Sequence, residues 1–214
     1  MKRLIALMLC LGLSWSACAK QRETIELNGR NTVILDTEIT DQTMDTFAAA
    51  VAGKRMMLAP DQTLYILIVS GGGDYYTSLK VKQLFMSMPN TAVICKYCAS
   101  AAGMLFITHS GPRLAIDKSV MLMHEMYLRH ATTKDVTNVP EMKRFLINNE
   151  DFNYMHYSII GISREEYEKK IVGKEWIVEG ADLVKLHIAD KIVNLHCDPY
   201  LSSIAQDTCK PKDE

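Results

Sequence analysis

The segment LYILIVSGGGD, residues 64–74, decides the fold class, because a long apolar run ends there in three consecutive glycines. Its first six residues are all apolar, and such a run of β-branched and aromatic types is typical of a strand buried on both faces. Strands of this kind belong to parallel sheets that are covered by helices. The glycines let the backbone approach a neighbouring segment closely. The segment therefore predicts a central parallel strand whose carboxyl end is a candidate site.

Strand and helix patterns alternate along most of the chain. Apolar runs predict further strands at 32–36, 91–96, 113–116, 120–124 and 189–193. Helical spacing or apolar runs of helix length predict helices at 41–57, 75–88, 100–110, 139–159, 163–171 and 179–186. Ser163 and Glu166 form a capping-box pattern at the start of one of them. This alternation predicts an α/β fold with a mainly parallel sheet.

The composition limits the class of protein. A chain of 214 residues is long enough for one domain with a substantial core, and 48% hydrophobic with 23% charged residues is typical of globular proteins. A formal net charge of −1 and the lack of a Lys/Arg run argue against a nucleic-acid partner. The histidines show no metal-ligand spacing, and the glycine run matches neither a phosphate-binding loop nor a dinucleotide fingerprint. We therefore expect neither a metal nor a cofactor.

Residues 1–19 have the pattern of a secretory signal peptide, with two basic residues, a short apolar stretch and then small residues. The apolar stretch is too short for a stable membrane span. Cleavage after this segment would start the mature chain at Lys20. Alternatively, the residues that end at Cys18 form a bacterial lipobox, and Cys18 carries the lipid. Both alternatives predict an exported protein, either periplasmic or anchored to a bacterial membrane by lipid.

Four cysteines follow the leader, and an exported protein can oxidise them. Cys197 and Cys209 flank a polar segment and could close a small loop. Cys95 and Cys98 have the spacing of a redox motif, but they fall inside and at the end of a predicted strand. For that pair we expect buried thiols that pack as small hydrophobic groups.

Ser100 lies among small residues, in the segment YCASAAG at 97–103, directly after a predicted strand. A serine hydroxyl becomes a nucleophile when a base takes its proton, and acyl transfer also needs donors for the developing oxyanion. The N–H of Ala101 at a helix start and the N–H of Gly73 in the glycine run are candidate donors. His124 ends a predicted strand at the same edge and is the candidate base. From these residues alone, a helix-capping serine and an ordinary glycine turn remain the alternatives.

Four segments, in this order, resemble the proteolytic subunit of Clp protease and, more broadly, the Clp/crotonase superfamily, which includes signal peptide peptidase A. They are LYILIVSGGGD, AVICKYCASAAGML, GPRLAIDKSVMLMHEMY and KEWIVEGADLVKLHIADKIV. The resemblance covers residues 28–194, which leaves 195–214 as a polar tail. It implies one domain built as a spiral of repeated β-β-α units. It also implies that Ser100 is the nucleophile, His124 the base, and Gly73 with Ala101 the oxyanion donors.

The third member of the catalytic triad is missing from its usual place. The family has an aspartate two residues before the aromatic residue, and here that position, two before Trp176, is Lys174. Three alternatives are open: Glu175 or a backbone carbonyl orients His124, Lys174 is itself the base, or the site is inactive.

The resemblance implies an exported serine endopeptidase that acts on peptides, unfolded chains or membrane-protein segments, and that forms a homo-oligomer. A partnership with an ATP-dependent unfoldase is not expected, because ATP is not supplied outside the cytoplasm. The alternatives are a Ser-Lys peptidase similar to signal peptide peptidase A and an inactive oligomeric binding module of the same fold. An acyl-CoA enzyme is the weakest alternative, because CoA is not expected outside the cytoplasm.

Overall fold

A mostly parallel sheet organises the protein around the strand that ends in the glycine run. The computed structural model describes residues 22–125, 153–154, 156–204 and 210–211. In spatial order the sheet contains β2 (Thr32–Leu35), β3 (Leu64–Ser70), β4 (Thr91–Ala99), β5 (Arg113–His124) and β6 (Glu175–Glu179). The first four strands are parallel, β6 is antiparallel to β5, and the short β7 (Lys191–Ile192) is parallel to β5. The predicted α/β class with a mainly parallel sheet is confirmed.

Helices cover one face of this sheet. They are α1 (Asp41–Met57), α2 (Tyr75–Ser87), α3 (Ala101–Ile107), α4 (Arg164–Ile171) and α5 (Asp182–Lys185). The bounds of α1 match the prediction, since Met44, Phe47 and Val51 recur at helical spacing and are all buried. Ser163 caps α4 by accepting a hydrogen bond from the N–H of Glu166 at 3.1 Å.

A small second sheet covers the other face. It contains β1 (Thr24–Leu27), β8 (Asn194–Cys197) and β9 (Lys210–Pro211), and α6 (Pro199–Ile204) lies beside it in the chain. Ile66 and Ile68 of β3 are buried in the core under the helices, whereas Leu67 is buried in the core of the second sheet. The strand is therefore buried on both faces, as its apolar run predicts. The two cores share one sheet, and the described chain forms a single compact domain.

Several local predictions need correction. The segments 113–116 and 120–124 belong to one strand, β5, whose pairing with β4 is interrupted at 116–119. Strands β1, β6, β8 and β9 were not expected, and β8 and α6 occupy part of the segment treated as a polar tail. Most of the helix predicted at 139–159 lies outside the described residues, although residues 156–160 are helical.

The cysteine prediction is wrong for one pair. Cys95 and Cys98 are completely buried, as expected, but they form a disulfide within β4 instead of packing as free thiols. Cys197 is also disulfide-bonded, and its expected partner, Cys209, lies outside the described residues.

Candidate active site

Ser100 occupies a strained turn between β4 and α3. Its backbone angles are φ 54° and ψ −125°, a region that residues with a side chain rarely adopt and that costs roughly 1–3 kcal/mol. The hydroxyl does not cap α3, which removes the helix-capping alternative. The N–H of Ser100 donates to the carbonyl of Leu122 on β5 at 2.9 Å. The turn therefore attaches the serine to the strand that carries His124.

The glycine run packs directly against this turn. At Gly72, with φ 89°, an added Cβ would lie 2.5 Å from the carbonyl oxygen of Ala99 and 2.8 Å from both the Ser100 Cβ and the Ala101 nitrogen. No side chain fits there, because real Cβ atoms do not approach other atoms so closely. The requirement for glycine thus comes from the contact with Ser100, as the prediction of close backbone approach anticipates.

Gly73 continues the run as an isolated bridge to Ile39, which follows β2. The N–H of Ile39 donates to Gly72 O, and the N–H of Asp74 donates to Ile39 O, both at 2.8 Å. In a parallel bridge these bonds belong to the residues on either side of Gly73. The N–H of Gly73 itself therefore points away from Ile39, toward the side on which β4 ends.

Ala101 is the first residue of α3, so its N–H has no acceptor within the helix. Among the described residues, neither this N–H nor that of Gly73 donates to a backbone carbonyl in the turns, loops and caps. Gly72, the residue before Gly73, closely approaches the nitrogen of Ala101. The structure thus brings the two predicted oxyanion donors to the same edge as Ser100.

His124 is the last residue of β5, at the edge where Ser100 lies. Ala99 pairs with Leu122 across β4 and β5, and neighbouring strands are about 4.8 Å apart. His124 Nδ1 contacts the carbonyl oxygen of Glu125. A carbonyl only accepts hydrogen bonds, so this contact is compatible with the tautomer in which Nδ1 carries the proton and Nε2 is the basic nitrogen. This is the tautomer that a general base for serine requires.

The two candidates for the third member are both exposed but differ in their strand pairing. Glu175 pairs directly with His124 across β5 and β6. Cross-strand neighbours face the same side of the sheet, with Cβ atoms about 4.5–5.5 Å apart. Lys174 is exposed, and its Nζ donates to the carbonyl of Lys169 at 3.0 Å. The structure brings Glu175, and not Lys174, beside the histidine.

Sequence reasoning missed three residues that hold this edge together. Ser70 is buried, donates its hydroxyl to the Thr37 carbonyl at 2.6 Å and accepts the Gly72 N–H at 3.2 Å. Ile39 provides the bridge to Gly73, and Glu125 accepts the N–H of Gly173 at 2.8 Å, just before β6. The run SGGG was the available signal for Ser70, whereas Ile39 and Glu125 act through contacts that are distant in sequence.

A surface groove of about 610 Å³ runs along β6 and α5, from Trp176 to Leu186. Of the described residues that line it, none is Ser100 or His124. In the same part of the chain, no group of three or more His, Cys, Asp or Glu residues is arranged to hold a metal ion. None of the described helices has the length and hydropathy that crossing a membrane requires.

The chain was also compared with known proteins. Neither the models of protein families nor the curated proteins gave a match. The assignment of a function therefore depends on the geometry around Ser100.

Proposed function

We propose that this protein is an exported serine endopeptidase with a Ser-His site, built on a Clp/crotonase-like spiral of β-β-α units. The observation that carries the proposal is the close approach of Gly72 to Ser100 and Ala101. A Cβ added at Gly72 would lie 2.8 Å from both the Ser100 Cβ and the Ala101 nitrogen. A strained serine, a glycine run and a strand-terminal histidine meet at one sheet edge. Their order along the chain resembles that of the Clp proteolytic subunit.

The arrangement supports a two-step acyl transfer. Ser100 Oγ attacks the carbonyl carbon of a peptide bond while its proton passes to His124 Nε2. The N–H groups of Gly73 and Ala101 stabilise the oxyanion of the tetrahedral intermediate. The imidazolium then protonates the leaving amine, and water hydrolyses the acyl-enzyme with His124 as base again.

His124 needs a group that holds its tautomer. The Glu125 carbonyl contacts Nδ1, and Glu175 is the residue paired with His124 on β6. A carboxylate near the ring also stabilises the imidazolium that forms during the reaction. We assign Glu175 this part of the aspartate's usual role. The hydrogen bond from Lys174 to Lys169 does not favour the alternative in which Lys174 is the base.

A fluorophosphonate probe tests the proposal, because a serine Oγ displaces fluoride from its phosphorus only when that serine is activated. We expect wild-type protein to be labelled and to hydrolyse unstructured peptides. Ser100→Ala should lose both activities and remain folded, whereas the control Ser110→Ala, at an exposed serine, should keep them. If Ser100→Ala retains peptidase activity, the nucleophile is wrong. If wild-type protein does neither, the alternative of an inactive binding module gains support.

Export and self-association are part of the same proposal. The intact mass of the exported product should match either residues 20–214 or a lipidated chain that starts at Cys18. Light scattering at micromolar concentration should give a mass above that of one chain. A monomer would contradict the expected homo-oligomer.

A further inference from the structure

The Cys95–Cys98 disulfide lies on the strand that leads to Ser100. Both cysteines are completely buried in the core under the helices, and their Cα atoms are 5.9 Å apart. Ser100 follows Cys98 by two residues. Between them, the backbone of Ala99 makes the contact with the glycine run. The disulfide is therefore next to the reacting residue along the chain, although it does not form part of the proposed chemistry.

The disulfide spans a β-bulge. Cys95 pairs with Ile68 of β3, but the next β3 residue, Val69, pairs with Tyr97, so Lys96 is the extra residue. In a regular strand, residues three apart point to opposite faces. The extra residue places both cysteine side chains on the same face, where one bond can join them. The bond thus requires the bulge.

The bulge sets the position of everything that follows it in β4. Beyond it, Cys98 pairs with Ser70 and Met121, and Ala99 pairs with Leu122. Without the extra residue, the strand would slip by one position, and every later side chain would turn to the opposite face. Ser100 would then lose its place against the glycine run.

Buried Ser119 supports the bulge from β5. Its hydroxyl accepts the Ile116 N–H at 2.7 Å and donates to the carbonyl of Cys95. On the other side, an added Cβ at Gly103 in α3 would lie 3.1 Å from the carbonyl of Cys98. The backbone around both cysteines is therefore in close contact with the strand and the helix that flank Ser100.

We propose that the Cys95–Cys98 disulfide is a positioning element for Ser100. It holds the bulge closed, and the bulge keeps the serine and the Ala101 N–H against the glycine run. This inference rests on the proposed peptidase function. Reduction by a dithiol transfers two electrons and two protons to the cysteines, while the dithiol closes to its own disulfide. Once reduced, the bulge is free to relax, and Ser100 reacts more slowly in a protein that remains folded.

A purely stabilising disulfide would behave differently. In the loop-closure account, a bond between residues only three apart restricts the unfolded chain less than one that closes a long loop. A stabilising role would change the unfolding temperature and leave the reactivity of the folded site unchanged. A positioning role changes the reactivity of the folded site itself.

The experiment compares full-length mature wild type, Cys95→Ala/Cys98→Ala, and the control Cys197→Ala/Cys209→Ala. The control removes a cysteine of β8, in the second sheet, that is disulfide-bonded in the structure. For each protein, fluorophosphonate labelling gives the maximal inactivation rate, kinact, and the probe concentration at half of that rate, KI. Circular dichroism at the assay temperature establishes that each protein is folded.

We expect Cys95→Ala/Cys98→Ala to lower kinact at least about tenfold with KI within about threefold, and the control to stay within about twofold of wild type on both. Wild-type protein refolded in dithiothreitol should show the same loss of kinact. Reoxidation should restore it in proportion to the Cys95–Cys98 disulfide, as measured by mass mapping of alkylated peptides. The double variant should show no dependence on dithiothreitol.

Unchanged kinact in a folded Cys95→Ala/Cys98→Ala protein would overturn the inference, and so would an equal loss in the control. If that double variant does not fold, the reduced wild type decides. A wild type that also fails to fold in dithiothreitol would show a folding role instead of a positioning role. If oxidised wild type is not labelled at all, the proposed function fails and the inference fails with it. Labelling of wild type and double variant at equal rates rejects the inference alone.

Discussion

His124 and Glu175 lie directly opposite each other on antiparallel strands, at the end of the sheet where Ser100 also lies. This pairing places a carboxylate beside the histidine in a chain that has Lys174 where the Clp-like pattern has aspartate. The contact between His124 Nδ1 and the Glu125 carbonyl adds a second group that holds the ring. The ring of the proposed catalytic histidine is therefore held by its own following residue, and β6 places a carboxylate at the position opposite.

Replacing Glu175 tests this arrangement. We expect Glu175→Gln to lower kcat by about tenfold or more, yet by less than the ~10⁴-fold typical of losing a triad aspartate, because the Glu125 carbonyl still holds the tautomer. KM should change little, since the carboxylate acts on the histidine. Lys174→Ala is the matched control and should stay within about threefold of wild type. Peptide hydrolysis with purified variants measures both. A large loss in Lys174→Ala with none in His124→Ala would make the lysine the base.

The strain at Ser100 predicts a trade-off between activity and stability. Glycine adopts φ 54° and ψ −125° without steric cost, which relieves about 1–3 kcal/mol of strain, while its greater freedom in the unfolded chain costs roughly 0.5–1 kcal/mol. Ser100→Gly should therefore raise the free energy of unfolding by about 0.5–2 kcal/mol while it abolishes activity. Ser100→Ala keeps a Cβ and therefore keeps the strain. Denaturant unfolding of the two inactive variants isolates the backbone effect. Equal stabilities for both would contradict the assignment of strain to this turn.

Gly72 predicts a loss of both stability and activity. The Cβ of Gly72→Ala would collide with the backbone of Ala99 and Ala101, and φ 89° is unfavourable for alanine. We expect a loss of more than about 1 kcal/mol in unfolding free energy and a strong loss of labelling by fluorophosphonate.

Gly53→Ala is the matched control for that substitution. Gly53 lies inside α1, and an added Cβ has no neighbour within 4 Å. The variant should gain about 0.5–1 kcal/mol, because alanine is the better helix former, and should keep its activity. Comparable destabilisation by both substitutions would show that close packing against Ser100 is not what requires glycine at 72.

The acid stability of the protein should depend on His156. This residue is buried, its Nδ1 lies 2.7 Å from the Tyr167 hydroxyl, and burial, together with the nearby Lys82 charge, lowers the pKa of His156 from 6.5 to about 3. The unfolded state takes up the proton on His156 more readily than the folded state does. The contribution of neutral His156 to the free energy of unfolding is therefore fully present above pH 6.5 and is lost as pH falls toward about 3. The loss is on the order of 4 kcal/mol over that range.

Denaturant unfolding at several pH values measures this slope. His156→Gln cannot take up the proton, so its free energy of unfolding, although lower at pH 7, should fall less steeply below pH 6.5. His187→Gln, at an exposed histidine, should retain the wild-type slope. An unchanged slope in His156→Gln would assign the acid sensitivity to other groups.

Local patterns were sufficient where one segment alone specifies its structure. The apolar run 64–69 predicts β3, and the spacing of Met44, Phe47 and Val51 predicts the whole of α1. The positions of the proposed serine, histidine and two N–H donors at one sheet edge could also be predicted from sequence, because each lies at the end of a recognisable strand or in a glycine run. These features depend on the periodicity and chemistry of residues that are neighbours along the chain, and both can be read directly from the sequence.

Other features were decided only by tertiary structure, because they depend on residues that are distant in sequence. The short strands β1 and β8 pair with each other from opposite ends of the described chain. The disulfide between Cys95 and Cys98 needs the bulge that the register with β3 creates. Glu175 reaches His124 because β6 returns antiparallel to β5, and no local pattern encodes that pairing. The sequence by itself determined which residues are candidates for the site, and the pairing of distant strands decided which of them lie together.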